Sequence, residues 1–206
     1  MKDFRDLAQW IWHHSMNRGV NQYVEFRRSF NLIDPDNTDL CISAESNFAV
    51  WINGKFAGTG QFSDFPERKS FSLIQGGQFF QRGQNILAVL VHYCGQDHFS
   101  YIADKPGLWF ILRNTKESIF SDEKTLCRIS KAYFQGPTAR ISQQRGFTFL
   151  YDARNTDNWM SLEYILKGDW QPSAVSVQKH LPQKRPLPMV KIGPRLNFEI
   201  IAQGFL

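Results

Sequence analysis

NFAVWI at residues 47–52 runs into Asn53-Gly54, and KFA at 55–57 begins the way back. An Asn-Gly pair between apolar alternations is a strong hairpin signal, because both central residues of the tight turn need positive φ. Val50 and Ile52 share one face of the first arm, and Trp51 points to the other. Upstream, QYVEFRRSFNL at 22–32 places Val24, Phe26, Arg28, Phe30 and Leu32 on one face. Tyr23, Glu25, Arg27, Ser29 and Asn31 fall on the other. Period two over this length predicts a strand with one buried face, Arg28 being the exception. DPDNTD at 34–39 reads as a turn, and Leu40, Ile42 and Ala44 alternate with Cys41 and Ser43 in a second strand.

Downstream, residues 69–74 predict a strand with Phe71 and Leu73 on one face, and 76–85 a loop with about one helical turn. NILAVLVHY at 85–93 is continuously apolar, which predicts a central strand covered on both faces. LWFILR at 108–113, the region 118–134 and GFTFLYDA at 146–153 read as further strands. Asn155 or Thr156 caps a short helix ending at Gly168. Trp10 and Trp12 are expected on one face of a first strand. Roughly eight or more short strands, about 8–15 residues apart, point to an all-β antiparallel sandwich of the jelly-roll type. A parallel α/β sheet would need helices between its strands.

The chain has 206 residues, 42% hydrophobic and 21% charged, an ordinary globular composition. Aromatic residues reach 15%, with 18 Phe, 6 Trp and 6 Tyr, as suits strands and sugar-binding faces. The net charge is +5. Residues 171–206 hold Lys179, Lys184, Arg185, Lys191 and Arg195 against Glu199, which is +4 and leaves +1 for residues 1–170. The body lacks the basic excess that nucleic-acid binding needs, so no nucleic-acid partner is expected. No apolar run of about 18 residues is present, so no membrane span is expected. MKDFRDLAQWIWHHS carries acids and is no secretory signal, and the chain as written reads as cytosolic or as a piece excised from something longer. Cys41, Cys94 and Cys127 make no disulfide framework. Prolines 172, 182, 186, 188 and 194 make the C-terminal stretch extended. The expected division is a sandwich over 8–175 and a Pro-rich basic tail over 176–206.

Familiar chemistry is scarce. No Gly-rich phosphate loop, G-x-S-x-G, H-E-x-x-H or C-x-x-C occurs. HYCGQDH at 92–98 offers His92, Cys94, Asp97 and His98, but at no zinc spacing. DPDNTDLCISAE at 34–45 has acids at calcium-loop positions but Asp39 where glycine is required. No metal and no cofactor is predicted, with structural calcium in a sandwich loop an open alternative. For a sugar, an aromatic ring stacks on the apolar C–H face while polar neighbours bond the hydroxyls. Trp12, Trp51, His92, His98, Tyr101 and Trp109 are the candidates for that role, each also readable as packing.

FAVWINGKFAGTGQF at 48–62, followed by RGQNILAVLVHY at 82–93, resembles the sugar-binding-like (galactose-binding-domain-like) jelly roll of many glycoside hydrolases. WIWHHSMNRGVNQYVEFRRSF at 10–30, VHYCGQDHFSYIADKPGLWFIL at 91–112, GDWQPSAV at 168–175 and RPLP at 185–188 resemble the N-terminal module of α-L-rhamnosidases. The likeness spans roughly residues 8–190 and implies a non-catalytic β-sandwich ahead of a helical-barrel catalytic domain. No catalytic residue is carried over. The resemblance implies an accessory, carbohydrate-binding-like domain, an N-terminal fragment of a glycoside hydrolase whose parent is periplasmic or secreted. Its partners are then a glycan or glycoside and the downstream catalytic domain, and the tail is a linker towards that domain. A stand-alone lectin-like module is the alternative, and homo-oligomerisation through an apolar patch suits either. A small hydrolase in its own right is the third reading, with His92, Asp97 and His98 as its first suspects.

Overall fold

The computed structural model describes all residues except 1–3, 16–18, 61–63, 141, 143, 189–191, 194, 195, 198, 200, 203, 205 and 206. In chain order the strands are β1 (Ile11–Trp12), β2 (Gln22–Leu32), β3 (Asp39–Glu45), β4 (Asn47–Ile52), β5 (Lys55–Gly60), β6 (Ser70–Gln75) and β7 (Gly83–Tyr93). There follow β8 (Gly107–Arg113), β9 (Ser118–Phe120), β10 (Leu126–Ile129), β11 (Gln171–Pro172), β12 (Ala174–Val175) and β13 (Gln183–Lys184). They form two sheets. The first runs β12-β1-β8-β3-β6-β13, with β9 also on β8; the second runs β11-β10-β2-β7-β4-β5. Pairing is antiparallel except between β13 and β6.

The second sheet is built on the β2–β7 pair, whose register runs from Gln22 opposite Tyr93 to Leu32 opposite Gly83. That register sets Val24 beside Val91 and Phe26 beside Val89, while β4 adds Phe48, Val50 and Ile52 to the same face. Across the gap, the first sheet contributes Leu40, Ile42, Leu108, Phe110 and Leu112. These side chains fill one continuous core, and each fully buried Leu, Ile, Phe or Val contributes about 1.5–3 kcal/mol relative to exposure. Arg28, the charged residue in the apolar row, ends in a two-pronged pair with the Asp122 carboxylate. The hairpin turn has the backbone its Asn-Gly sequence demands, with φ of 51° at Asn53 and 79° at Gly54.

Both outer faces are covered. On the second sheet, Ile86, Ala88 and Trp159 are packed with Trp51, Leu90, Met160, Leu162, Tyr164 and Trp170. The segment carrying these residues is not the expected helix. One 3-10 turn, Ala153–Asn155, is capped by Asp152, and turns follow. Arg27 explains part of this: its guanidinium donates to the carbonyls of Trp159 (2.5 Å) and Ser161 (2.9 Å). Residues 146–153 are likewise not a strand; isolated pairs join Arg140 to Phe147 and Tyr133 to Tyr151.

On the first sheet, Trp10, Cys41, Phe71, Trp109 and Ile111 form an outer layer. Trp10 and Trp12 therefore lie in different layers, contrary to expectation, because Trp12 packs in the inter-sheet core. A C-terminal strap lies against this side. Its amides at Ser176, Gln183 and Arg185 bond the carbonyls of Trp10, Lys69 and Phe71. The sandwich's hydrogen bonds thus continue ten residues past Val175, to Arg185. All three cysteines are buried thiols.

Candidate functional site

The β7–β8 connection closes one end of the sandwich. Its centre is a tight turn in which His98 and Tyr101 exchange backbone hydrogen bonds of 3.0 and 3.1 Å. The turn stacks the His98 ring on Tyr101, 5.3 Å between centroids, and leaves Phe99 85% exposed at its tip. Asp97 braces it by accepting from the Ala103 amide at 2.7 Å. Facing this turn is the segment before β6, where Asp64 accepts from the Ser70 amide and hydroxyl at 2.8 and 2.9 Å. Between them lies a cavity of about 220 Å³, lined by Asp64, Phe65, His98, Phe99, Ser100, Tyr101 and Ile102. Phe65 and Ile102 are exposed.

Beneath the cavity is a charged cluster with almost no contact with water. The Tyr101 hydroxyl donates to Glu45, and Lys69 Nζ lies 2.5 Å from the other Glu45 oxygen and 3.2 Å from Asp104. Burial lifts the Glu45 carboxyl above its ordinary value, although Lys69 and Tyr101 oppose the shift. Burial, and then the Glu45 charge, push the Tyr101 phenol far upward, so Tyr101 is a hydrogen-bond donor and not an acid. Burial also acts against ionisation of Asp104, but the Lys105 amide, Gln178 and Lys69 outweigh it and hold that carboxyl low. The cluster ties β3, β6, the β7–β8 connection and, through Gln178, the strap into one rigid base.

The cavity thus offers aromatic faces, a carboxylate acceptor and an imidazole on a braced support. Those are the groups that hold a polyol ring. Asp64 is the one carboxylate in its lining among the described residues, whereas glycosidic hydrolysis ordinarily uses two across a cleft.

Of the six aromatic and histidine candidates, the fold brings together His98 and Tyr101. Trp12 is buried against Phe26 and Tyr93, and Trp109 is 1% exposed beneath the strap side. Trp51 lies on the opposite outer face, edge-on to Phe56 and Trp159. His92 is stacked on Tyr23, with Nε2 2.9 Å from Asn21 Oδ1; burial draws its pKa down to about 4. Among the described residues no group of three or more His, Cys, Asp and Glu side chains is arranged to hold a metal ion.

Sequence reading missed Asp64, Phe65, Phe99 and Ile102. Phe99 carried a usable signal, a large apolar residue inside the polar run GQDHFS. Asp64 carried none, because its role depends on a wall contributed by a distant segment. A second buried cluster joins Arg128 to Glu25 (2.6 Å), Asp157 (2.6 Å) and Asp169 (3.2 Å), with Trp170 under the guanidinium at 4.6 Å. It clamps the 153–170 segment onto the second sheet.

No family model matches the chain, and no curated protein does. Solved structures do. The fold is similar to the GH78 family rhamnosidase of Bacillus sp. GL1, with a TM-score of 0.74 and 24% identity over 83% of this chain and 18% of that one. It is also similar to the α-L-rhamnosidase of Dictyoglomus thermophilum, with a TM-score of 0.68 and 15% identity over 86% of this chain and 22% of that one. A lectin from Pleurotus ostreatus, solved in complex with GalNAc, matches at a TM-score of 0.55 and 16% identity over 88% of this chain and 48% of the lectin. The chain spans about a fifth of the length of these two rhamnosidases. It has the all-β sandwich fold of a domain-sized part of GH78 α-L-rhamnosidases, a fold similar to that of the lectin.

Proposed function

We propose that this chain is a non-catalytic accessory domain of an α-L-rhamnosidase-like glycoside hydrolase, and that it holds a sugar in the cavity between residues 64–65 and 98–102. The observation that carries the reading is the composition of that cavity. Phe99 and Phe65 present exposed rings beside Asp64 and His98, on a base locked by Glu45, Lys69 and Tyr101. Fold neighbours support it: a further one, the α-L-rhamnosidase of Streptomyces avermitilis, was solved with L-rhamnose, and the lectin with GalNAc. A cavity of about 220 Å³ is small beside ordinary ligand pockets, which suits a single sugar ring.

The test is an NMR titration of the chain with L-rhamnose, galactose, GalNAc and rhamnose-containing oligosaccharides. Saturable shifts in residues 98–102 are expected at millimolar concentrations, about −4 kcal/mol of binding. Phe99→Ala removes a ring that supports nothing in the core and is expected to abolish them. Incubation with an aryl α-L-rhamnoside is expected to give no turnover. Silence towards every sugar up to tens of millimolar, or full binding by Phe99→Ala, would refute the sugar site. Tight, sugar-selective binding by the isolated chain would favour the lectin-like reading that the Pleurotus neighbour supports.

A further inference from the structure

A second cavity, of about 310 Å³, opens at the edge of the first sheet where β12 pairs with β1. Three segments wall it. Trp12, His13 and His14 come from β1 and its continuation, Lys105 and Pro106 from the β7–β8 connection, and Ala174–Val177 from the strap. The walls are fixed to one another. The Ser176 amide donates to the Trp10 carbonyl at 2.7 Å, and the Ser176 hydroxyl donates to the Pro106 carbonyl at 2.7 Å.

The chemistry of this cavity is the reverse of the first. Its lining carries two imidazoles and an ammonium, and among the described residues no carboxylate. His13 is committed: Nδ1 accepts from the Ser15 amide at 3.3 Å and Nε2 meets the Gln171 side-chain amide. Burial, with His14 beside it, keeps that ring below its ordinary pKa. His14 is exposed, and its Nε2 lies 3.1 Å from the Pro172 carbonyl. A carbonyl only accepts, so that nitrogen carries a proton. Lys105 is exposed, and the nearest acid in sequence, Asp104, is already engaged by Lys69 at 3.2 Å, by Gln178 and by the Lys105 amide. Among the described residues Lys105 has no ion-pair partner, and Pro106, Val175 and Val177 supply an apolar wall in the same lining.

We infer that this cavity is a second sugar subsite that takes an acidic sugar, a uronic acid residue, with its carboxylate towards Lys105 and its C–H face on the Pro106, Val175 and Val177 wall. The sugar half of this assignment rests on the carbohydrate reading proposed above; the charge half rests on the lining alone. The volume lies at the lower end of the ligand-pocket range and suits one ring.

The experiment is a titration of the full chain with galacturonate and glucuronate, with neutral galactose and glucose, and with acetate and inorganic phosphate. Uronates are expected to bind about five-fold tighter than their neutral parents, as one exposed ion pair provides. High salt is expected to shrink that advantage by screening. Lys105→Met is expected to erase it, with shifts in residues 174–177 lost, while Phe99→Ala leaves it in place. Equal binding of uronates and neutral sugars, or an unchanged advantage in Lys105→Met, would overturn the subsite. Acetate and phosphate binding as tightly as the uronates would overturn its sugar specificity. Uronate binding that survives while all neutral sugars fail would sink the first cavity's assignment and uphold this one.

Discussion

Lys69→Met tests the base of the first cavity. The Lys69 side chain is fully buried, and its ammonium lies 2.5 Å from Glu45 and 3.2 Å from Asp104. Methionine nearly matches the volume but strands the Glu45 carboxylate, whose side chain is 4% exposed. Removing one partner of a buried ion pair costs about 3–5 kcal/mol. For a domain of this size each kcal/mol is about 2–4 °C, so the midpoint is expected to fall by about 6–20 °C at pH 7. The loss has a pH signature. Burial already lifts the Glu45 carboxyl against the pull of Lys69, and without Lys69 it rises further. A folded pKa above the unfolded one makes stability fall as pH rises from the unfolded value through the folded one. Below about pH 4.5 the carboxyl is protonated in both states, and the deficit shrinks. Thermal unfolding of Lys69→Met at pH 4.5 and 7, beside the Glu45→Gln/Lys69→Met pair, measures this. A fall of less than about 3 °C at pH 7, an equal deficit at both pH values, or no recovery in the double variant would refute the reasoning.

Three other expectations concern the frame. Arg128→Met leaves Glu25, Asp157 and Asp169 facing one another and is expected to cost about 3–5 kcal/mol. Limited proteolysis should then cut within 153–170 before the sheets unfold. Asn53→Ala loses bonds to Phe79, Asn85 and Ile86 and replaces asparagine, which tolerates φ 51°, with a residue that tolerates it less, a combined loss of about 2–4 kcal/mol in urea denaturation. Asn53→Gly should recover only the backbone part. His92, drawn down to about 4 by burial, contributes stability that is lost as pH falls from about 6.5 towards 4. His92→Phe keeps a ring on Tyr23 and is expected to flatten that acid limb, as unfolding at pH 7 and 4.5 would show.

Much of the frame was legible because burial on a strand is periodic. The alternation in 22–32 and 47–52 and the unbroken apolar run at 85–93 located β2, β4 and β7, their inward faces and the hairpin between β4 and β5. The readings at 146–153 and 155–168 failed because neither segment follows a regular period in the fold. In 155–168 apolar residues face the sheet through irregular backbone, held by Arg27 and Arg128 from strands far away in sequence, whereas in 146–153 Phe149, Leu150 and Tyr151 are exposed and only isolated pairs form. No local period records such a hold. The same holds for the site. His98 and Tyr101 sit three residues apart in one turn, so their neighbourhood was readable; Trp12 and Trp109 are indistinguishable in sequence from exposed tryptophans until the layers above them are placed.

The sequence by itself determined the all-β class, the central strand, the turn at Asn53-Gly54, the near-neutral body and the basic C-terminal stretch. Each follows from local sterics, side-chain period or counting charges. Tertiary structure alone decided that Asp64 faces His98, that Lys69 meets Glu45 across 24 positions, and that the strap returns to pair in parallel with β6. It also decided that three distant segments enclose the cavity that Lys105 lines. Those arrangements depend on which strands become neighbours and in what register. That choice belongs to the packing of the whole core, and no single stretch of residues encodes it.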